Sequence, residues 1–555
     1  MSVFAKRKGL PVAVILALTG VLLFACAPQA EPTATPVAPA TQAPGATAAA
    51  KPAATPEATV AKPKAGGTLT VRVDLDASSL DPGQGSSGGD HQFFFQIFDN
   101  LVTYDKQGVP SPKLSLAESW ESSTDGKVIT LRLRKGVKFH DGTDFNAEAV
   151  KWNLDRALDP KQSYVGAATI AAISSVDIVD NYTVKLTLSK AYAPLLVNLG
   201  DRPGCMWSPA GFKMAGAESG SKPVGSGPFK FVEWMPGSSA TMKKNPDYWM
   251  KDEAGNQLPY VDKLVIRNIP ESSVALAALK TGEVDVAVNL EAKEAPGVKA
   301  DANLTLLLLP GAGVSGNYIN TAIPPFDNVH LRKALAWAID RQAYINAIHA
   351  GIGTEANQGA ILPGQFAFDP TLKFYSYNPD KVKEELTLGG KPDGFTFAAN
   401  GNSLSYQAKG AEWTKAELAK FGIIADLTIK DTGMSTTEMM TSGKVPILLA
   451  AGLSQRVDPD GMVSNLYHSK GYYNAGHSPF TDLDEAIEKA ASTFDLAERK
   501  RLYRLVEQLG QEKYCIFTCF HYSTRTWGVQ KWVRNIDTLA GCEQKLRAHW
   551  VWLNK

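Results

Sequence analysis

The sequence has almost no net charge. Lys and Arg together number 57, and Asp and Glu number 56, which gives a formal net charge of +1 over 555 residues. A dedicated nucleic-acid-binding protein usually has a clear basic excess. We therefore expect no nucleic-acid partner. The length of the chain predicts two or more domains.

The signature motifs of several enzyme classes are also missing. The chain contains no G-x-S-x-G, no P-loop and no H-E-x-x-H. A G-x-G-x-x-G pattern occurs at residues 311–316, but the residues after it (317–320, NYIN) are typical of a strand. A dinucleotide site needs this pattern at the start of a helix, so we expect no cofactor. We predict that the protein is not an enzyme, although a pair of catalytic carboxylates stays open.

The only long apolar run lies near the N-terminus. Lys6, Arg7 and Lys8 precede the uncharged residues 10–25, which Cys26 follows. This order is typical of a signal peptide, and the run is short for a membrane-spanning helix. Residues 23–26 (LFAC) resemble a bacterial lipobox, so we predict a lipoprotein signal peptide at 1–26 with lipid attachment at Cys26. An ordinary cleaved signal and an uncleaved anchor helix remain alternatives.

Residues 27–65 contain no aromatic residue and consist mostly of Ala, Pro and Thr. Such a segment buries too little apolar surface to offset the entropy lost on ordering. We predict a disordered tether that holds a soluble body near the membrane.

Cysteine is scarce, with five residues in the chain. Besides Cys26 these are Cys205, Cys515, Cys519 and Cys542. Export permits disulfides, and four cysteines allow three complete pairings. Buried free thiols are the alternative.

Strand patterns predominate in the first half of the folded part. Residues 67–73 alternate and predict a strand, and residues 118–140 predict a β-meander whose last strand is 137–139. Asn146 can cap a helix that continues to Leu158.

Helical patterns are clearer later in the chain. Apolar residues from Leu331 to Ile339 form one stripe of a helix that Gly351 can close. Similar stripes predict a helix around 502–509 and another that ends at Gly422. Strands alternate with helices across 260–460, which favours an α/β fold.

Several segments together resemble the family 5 solute-binding proteins, the receptors of ABC importers for peptides, nickel and related solutes. They occur in the family's order over about 66–540. They are 117–121 (AESWE), 133–142 (LRKGVKFHDG), 224–231 (VGSGPFKF), 244–249 (KNPDYW), 258–264 (LPYVDKL), 282–286 (GEVDV), 325–335 (PFDNVHLRKAL) and 377–381 (YNPDK).

The resemblance implies an α/β protein with a two-lobed class II periplasmic-binding-protein fold and an additional inserted domain. The first lobe is discontinuous and the second is continuous. The implied bounds are 66–98, 222–312 and 526–555 for lobe I, 99–221 for the inserted domain and 313–525 for lobe II. The lobes would close over a small organic solute, peptide-like or other, and deliver it to the permease. A cell-surface enzyme or a signalling receptor on the same scaffold is the alternative.

The implied partners are the ABC permease subunits and, through the lipid anchor, the membrane. We expect a monomer located outside the cytoplasm, either in the periplasmic space or on the outer face of the membrane.

Residues 451–460 (AGLSQRVDPD) bear on the solute. In peptide receptors of this family, the matching stretch carries an Asp three residues before the Asp-Pro pair, and that Asp binds the peptide's ammonium group. Here the position is Gln455, and Arg456 follows. An arginine repels an ammonium group and attracts a carboxylate or phosphate. We therefore expect a neutral or anionic ligand, unless Arg456 faces solvent or pairs with Asp458.

Other candidate ligand contacts follow from their placement in the family's fold. They are Tyr318, Asn320, Phe94, Trp207 and Tyr522, each of which could equally belong to a core. His468, His477 and His521 match no metal-ligand spacing, so we expect no metal.

Overall fold

The computed structural model describes residues 62–85, 89–440, 443–536 and 544–555. The predicted signal peptide with Cys26, nearly all of the predicted tether and Cys542 lie outside the described residues. Predictions about them therefore stay predictions.

The described strands are numbered in chain order. They are β1 (Thr68–Val73), β2 (Ala117–Ser122), β3 (Val128–Leu133), β4 (Ile173–Asp180), β5 (Thr183–Leu188), β6 (Phe229–Met235), β7 (Ser239–Lys244), β8 (Lys263–Asn268), β9 (Val286–Leu290), β10 (Leu304–Ile319), β11 (Thr354–Glu355), β12 (Phe395–Asn402), β13 (Ile423–Lys430), β14 (Ile447–Ser454), β15 (Phe517–Gln530), β16 (Val533–Arg534) and β17 (Trp552–Leu553).

The α-helices are numbered in the same way. They are α1 (His91–Ile97), α2 (Ala147–Leu158), α3 (Leu195–Asn198), α4 (Pro209–Ala215), α5 (Ser272–Lys280), α6 (Ala295–Lys299), α7 (Val329–Ala338), α8 (Arg341–His349), α9 (Pro379–Leu388), α10 (Ser405–Ala419), α11 (Thr432–Met440), α12 (Asp460–Leu466), α13 (Thr481–Ser492) and α14 (Leu496–Glu507).

One large sheet connects two lobes. Its strand order is β13-β12-β14-β10-β15-β9-β1-β8-β7-β6. The central strands β10 and β15 form a long antiparallel pair that runs from Leu304 opposite Gln530 to Tyr318 opposite Phe517. On one side β15 pairs with β9, and on the other β10 pairs with β14. We call the half with β9, β1, β8, β7 and β6 the first lobe and the half with β14, β12 and β13 the second lobe.

Each lobe has its own hydrophobic core. In the first lobe, β1 contributes Val71 to a cluster that also contains Phe94 and Trp207. In the second lobe, Leu448 and Leu449 are neighbours on β14 but belong to different clusters. Because successive side chains of a strand point to opposite faces, both faces of the second lobe's sheet are covered.

A smaller antiparallel sheet, in the order β2-β3-β5-β4, packs with α2 around a separate core. We call this part the inserted domain. The predicted helix from Asn146 to Leu158 is confirmed, and the Asn146 side chain accepts a hydrogen bond from the backbone N–H of Ala149 at 3.0 Å. The predicted strand at 137–139 is wrong. That segment forms only an isolated bridge between Lys138 and Asp144, because the chain turns back too soon to extend the sheet.

The helix predicted from Leu331 to Gly351 is in fact two helices, α7 and α8. The chain becomes extended at Ile339, and the Asp340 side chain accepts a hydrogen bond from the N–H of Ala343, which starts α8. The Arg341 side chain then turns inward and donates to the carbonyl of Cys519 at 2.9 Å. A continuous apolar stripe could not reveal this break, because helices on both sides bury the same face.

The G-x-G-x-x-G pattern lies inside β10, and the strand-like prediction for 317–320 is confirmed as far as Ile319. The ladder between β10 and β15 is irregular between Pro310 and Gly313. Gly311 has a φ of +84°, and a side chain there would overlap the carbonyl of Pro363. The glycines therefore let the long strand bend where it passes from one lobe to the other.

Candidate functional site

A chain of hydrogen bonds connects the two lobes beside the middle of β15. In the first lobe, the Asn289 side chain donates to Asp74 at 2.9 Å. Arg525, on β15, donates to the amide oxygen of Asn289 at 3.1 Å and to that of Gln455 in the second lobe at 3.4 Å. Asp74 directly follows β1, Asn289 lies near the end of β9, and Gln455 directly follows β14.

This position is typical of a ligand site. In open α/β sheets, ligands bind beyond the carboxyl ends of the strands, and here three such ends come together. The polar groups at these ends belong to both lobes, so a solute bound among them would contact both. Neither Asn289 nor Arg525 was predicted from the sequence. The signal for Arg525 was present, because it is the only Lys, Arg, Asp or Glu in the strand Phe517–Gln530.

Gln455 and Arg456 are neighbours with different surroundings. Gln455 is buried, with 8% of its surface exposed, and its backbone N–H donates to the carbonyl of Ala312 on β10. Arg456 is exposed, and its Nη1 donates to the carbonyls of Ser454 and Gln455.

The alternative that Arg456 pairs with Asp458 is wrong. Arg499 occupies that carboxylate through two hydrogen bonds, of 3.0 Å from Nη1 and 2.8 Å from Nη2. Arg456 faces solvent instead, at the side of the residues 318 and 473 described next.

Tyr318 is buried beneath this edge of the second lobe. Its ring stacks on Tyr473 with the centroids 5.3 Å apart, and its hydroxyl has no hydrogen-bond partner among the described residues. Burial raises the pKa of Tyr318 well above its ordinary value, whereas the positive charge of Arg456 acts on it in the opposite direction. Tyr318, Tyr473 and Arg456 therefore form one aromatic and cationic group. Asn320, also buried, uses its side-chain oxygen to accept from the N–H of Ala322.

The remaining three aromatic candidates lie in cores. Phe94 and Trp207 belong to the first lobe's cluster and have no exposed surface. Tyr522 is fully buried in the second lobe, where its hydroxyl donates to the carbonyl of Gly359 at 2.8 Å. The structure thus groups Gln455, Arg456 and Tyr318 and places these three apart in packed interiors. Their contact with a ligand stays a prediction.

The histidines considered for metal binding do not come together. His468 faces Asp484 and Glu488, His477 contacts the carbonyl of Ser469, and His521 stacks on His349 at 4.0 Å. Within the described ranges, no group of three or more His, Cys, Asp or Glu residues could hold a metal ion.

Three of the cysteines can be placed. Cys205, Cys515 and Cys519 are buried free thiols, and burial raises the pKa of each one. They therefore form no disulfide with one another. Any pairing that involves Cys542 lies outside the described residues.

Comparison with known proteins identifies the family. Residues 111–474 match the family model described as bacterial extracellular solute-binding proteins, family 5 Middle. The chain belongs to this family. It is 30% identical to the glutathione-binding protein GsiB of Escherichia coli (strain K12) over 450 residues, which cover 80% of this chain and 86% of GsiB.

Two solved structures have the same fold. The periplasmic binding protein AgaA of A. tumefaciens R10, in complex with agropinic acid, is 28% identical with a TM-score of 0.73, over 88% of this chain and 99% of AgaA. The binding protein DppA of Helicobacter pylori, in complex with the peptide STSA, is 27% identical with a TM-score of 0.72, over 89% of this chain and 99% of DppA.

The fold is therefore the two-lobed α/β fold of periplasmic binding proteins, and the predicted family is confirmed. The protein captures a solute outside the cytoplasm for an ABC importer. In the part of the chain that the structure describes, no helix has the length and apolar character needed to cross a membrane.

Proposed function

We propose that this receptor binds a neutral or anionic organic solute between its two lobes, beside Gln455. The observation that carries the proposal is the inter-lobe chain in which the amide of Gln455 faces the guanidinium of Arg525. A buried ammonium group needs a carboxylate partner, and an amide supplies no charge. An ammonium group at this position would also lie near the cation of Arg525.

The neighbouring residues supply suitable contacts for such a solute. Tyr318 and Tyr473 offer aromatic surface and a buried hydroxyl, and Arg456 offers an exposed cation beside them. Guanidinium groups bind carboxylates and phosphates through paired hydrogen bonds. Asn320, Phe94, Trp207 and Tyr522 remain further candidate contacts. Two similar proteins have names or titles that give anionic compounds, glutathione for GsiB and agropinic acid for AgaA.

Binding requires a hinge but no chemical step. The β10–β15 pair connects the lobes, and its irregular ladder at Pro310 to Gly313 is a suitable place for bending. We infer that a monomer closes on its solute, returns it unchanged to the permease and works without a catalytic residue or cofactor.

We further propose that the mature protein is a lipoprotein attached through Cys26 and held by the segment 27–65. The order of positive charge, apolar run and small residue before Cys26 supports this. The measurement is the mass of the N-terminal peptide from the membrane fraction. A peptide that begins at Cys26 with added acyl chains is expected, and an unmodified cysteine would contradict the anchor.

The solute itself is best identified by native mass spectrometry of protein purified from its own host. We expect a bound compound without a free α-ammonium group. Calorimetric titration with that compound should show weaker binding by roughly tenfold for Gln455→Ala, which removes a buried hydrogen-bonding group worth about 1–2 kcal/mol. Arg456→Ala should weaken binding of an anionic compound in the same direction.

Lys470→Ala is the matched control, because it removes an exposed positive charge from the same lobe. It should leave the affinity unchanged. Tight binding of dipeptides that depends on their free amino terminus would sink the proposal about the solute, while the receptor role would stand.

A further inference from the structure

The inserted domain touches the second lobe at a place separate from the candidate solute site. The segment between β5 and α3 reaches across to the start of α12 and the end of α13. The two sides belong to parts of the chain that are far apart in sequence, and a closing motion about β10 and β15 would bring them together.

The first contact joins Tyr192 and Asp460. The Tyr192 hydroxyl donates to Oδ2 of Asp460 at 3.2 Å. The other oxygen of Asp460 accepts from the Ser464 hydroxyl at 2.7 Å. Asp460 is 5% exposed and Tyr192 is partly buried, so this bond is shielded from water. On its own domain, the Tyr192 hydroxyl also accepts from the side chain of Asn198 at 3.5 Å.

Two further contacts lie beside it. The backbone N–H of Ala193 donates to the carbonyl of Ala491 at 2.8 Å, and Ala491 lies in the last turn of α13, where carbonyls lack partners within the helix. Phe494, which belongs to the second lobe by sequence, packs against the core of the inserted domain. Its ring lies over Gly126, where an added Cβ would be only 2.6 Å away.

We propose that these three contacts form a latch that holds the receptor closed and sets the ratio of closed to open molecules. The latch residues are Tyr192, Ala193 and Gly126 on the inserted domain and Asp460, Ala491 and Phe494 on the second lobe. Opening the lobes must break all three contacts. None of them belongs to the hydrogen-bond chain through Gln455, so the latch changes affinity for every solute by the same factor and leaves selectivity unchanged.

This inference rests on the proposed closing motion. Its test uses the protein without solute, as verified by native mass spectrometry. Spin labels at Ser174→Cys in the inserted domain and Glu485→Cys on α13, both exposed positions, report the distance between the two parts by double electron–electron resonance. We expect a short-distance population in the otherwise unaltered protein. Tyr192→Phe removes only the hydroxyl and should lower the closed-to-open ratio roughly tenfold, as expected for a lost hydrogen bond to a carboxylate.

Tyr182→Phe is the matched control, because Tyr182 is also a partly buried tyrosine on the core of the inserted domain. Its distance distribution should equal that of the unaltered protein. Phe494→Ala provides a second perturbation and should shift the population in the same direction as Tyr192→Phe. The latch is refuted if no short-distance population exists, or if both variants keep the closed-to-open ratio within twofold. A refuted latch would leave the solute found in the host-purified protein, and hence the receptor function, unaffected.

Discussion

The ion pair between Asp458 and Arg499 should be the strongest single support of the loop that carries Gln455. Both side chains are almost fully buried, and the guanidinium binds both carboxylate oxygens. Burial opposes the charge of Arg499, but the Asp458 carboxylate outweighs it and raises the pKa of Arg499. The guanidinium also lies over the rings of Phe366 and Tyr503, at 5.0 and 5.4 Å from their centroids.

Arg499→Met keeps an unbranched side chain of similar length but leaves the Asp458 carboxylate buried without its cation. Removing one partner of a buried pair costs about 3–5 kcal/mol. For a folding unit of roughly 200 residues, each kcal/mol corresponds to about 2–4 °C in melting temperature, so we expect a fall of about 6–20 °C. Thermal unfolding followed by circular dichroism at pH 7 measures this. The loss should shrink at pH 4, because an isolated buried carboxyl takes up a proton.

Arg501→Met is the matched control on the same helix. Arg501 also pairs with a carboxylate, that of Glu498, but 60% of the Arg501 side chain is exposed. Exposed pairs contribute about 0–1 kcal/mol, so this variant should melt within about 2 °C of the unaltered protein. Equal losses for the two variants would refute the view that burial makes the Asp458–Arg499 pair important.

Two further predictions concern the loop that Glu507 holds. Burial raises the pKa of Glu507 to about 7, despite the N–H groups of Ile361 and Ala360 that donate to it. The folded protein therefore keeps a proton that the unfolded chain loses near its ordinary value of 4.5, so stability should decrease as the pH rises from about 4.5 to 7. Melting curves of Glu507→Gln over this range should show a smaller decrease, and an identical slope would contradict the prediction. Gly359 has a φ of +117° and a side chain there would overlap the Glu507 carboxylate, whereas Gly390 has a φ of +71° with no atom within 4 Å. Gly359→Ala should therefore cost well over the roughly 1 kcal/mol expected for the backbone strain of Gly390→Ala, as measured by chemical unfolding, and equal costs would show that the overlap is relieved at little expense.

The local elements that depend on short-range signals were predictable. The strand Thr68–Val73 follows from alternating β-branched residues, and the start of α2 follows from the ability of Asn146 to cap a helix. The break between α7 and α8 was not predictable. The inward turn of Arg341 towards Cys519 depends on a strand almost 180 residues later in the chain, and hydrophobic spacing carries no information about such a partner.

The candidate site shows the same division. Gln455 could be identified because its position relative to the Asp-Pro pair is a matter of sequence. Its partner could not, because Arg525 reaches Gln455 only when β15 pairs with β10 and brings together residues 70 positions apart. Arg456 shows the opposite case, since its adjacency to Gln455 in sequence does not give it the same burial.

By itself, the sequence determined that this protein is an α/β solute-binding protein, because ordered short motifs, composition and hydrophobic periodicity are properties of neighbouring residues. The tertiary structure decided which polar groups of the two lobes meet. The chain Asp74–Asn289–Arg525–Gln455 and the contact of Tyr192 with Asp460 join distant segments. Hydrogen bonds act over about 3 Å, so only the folded arrangement of the strands and lobes can create them.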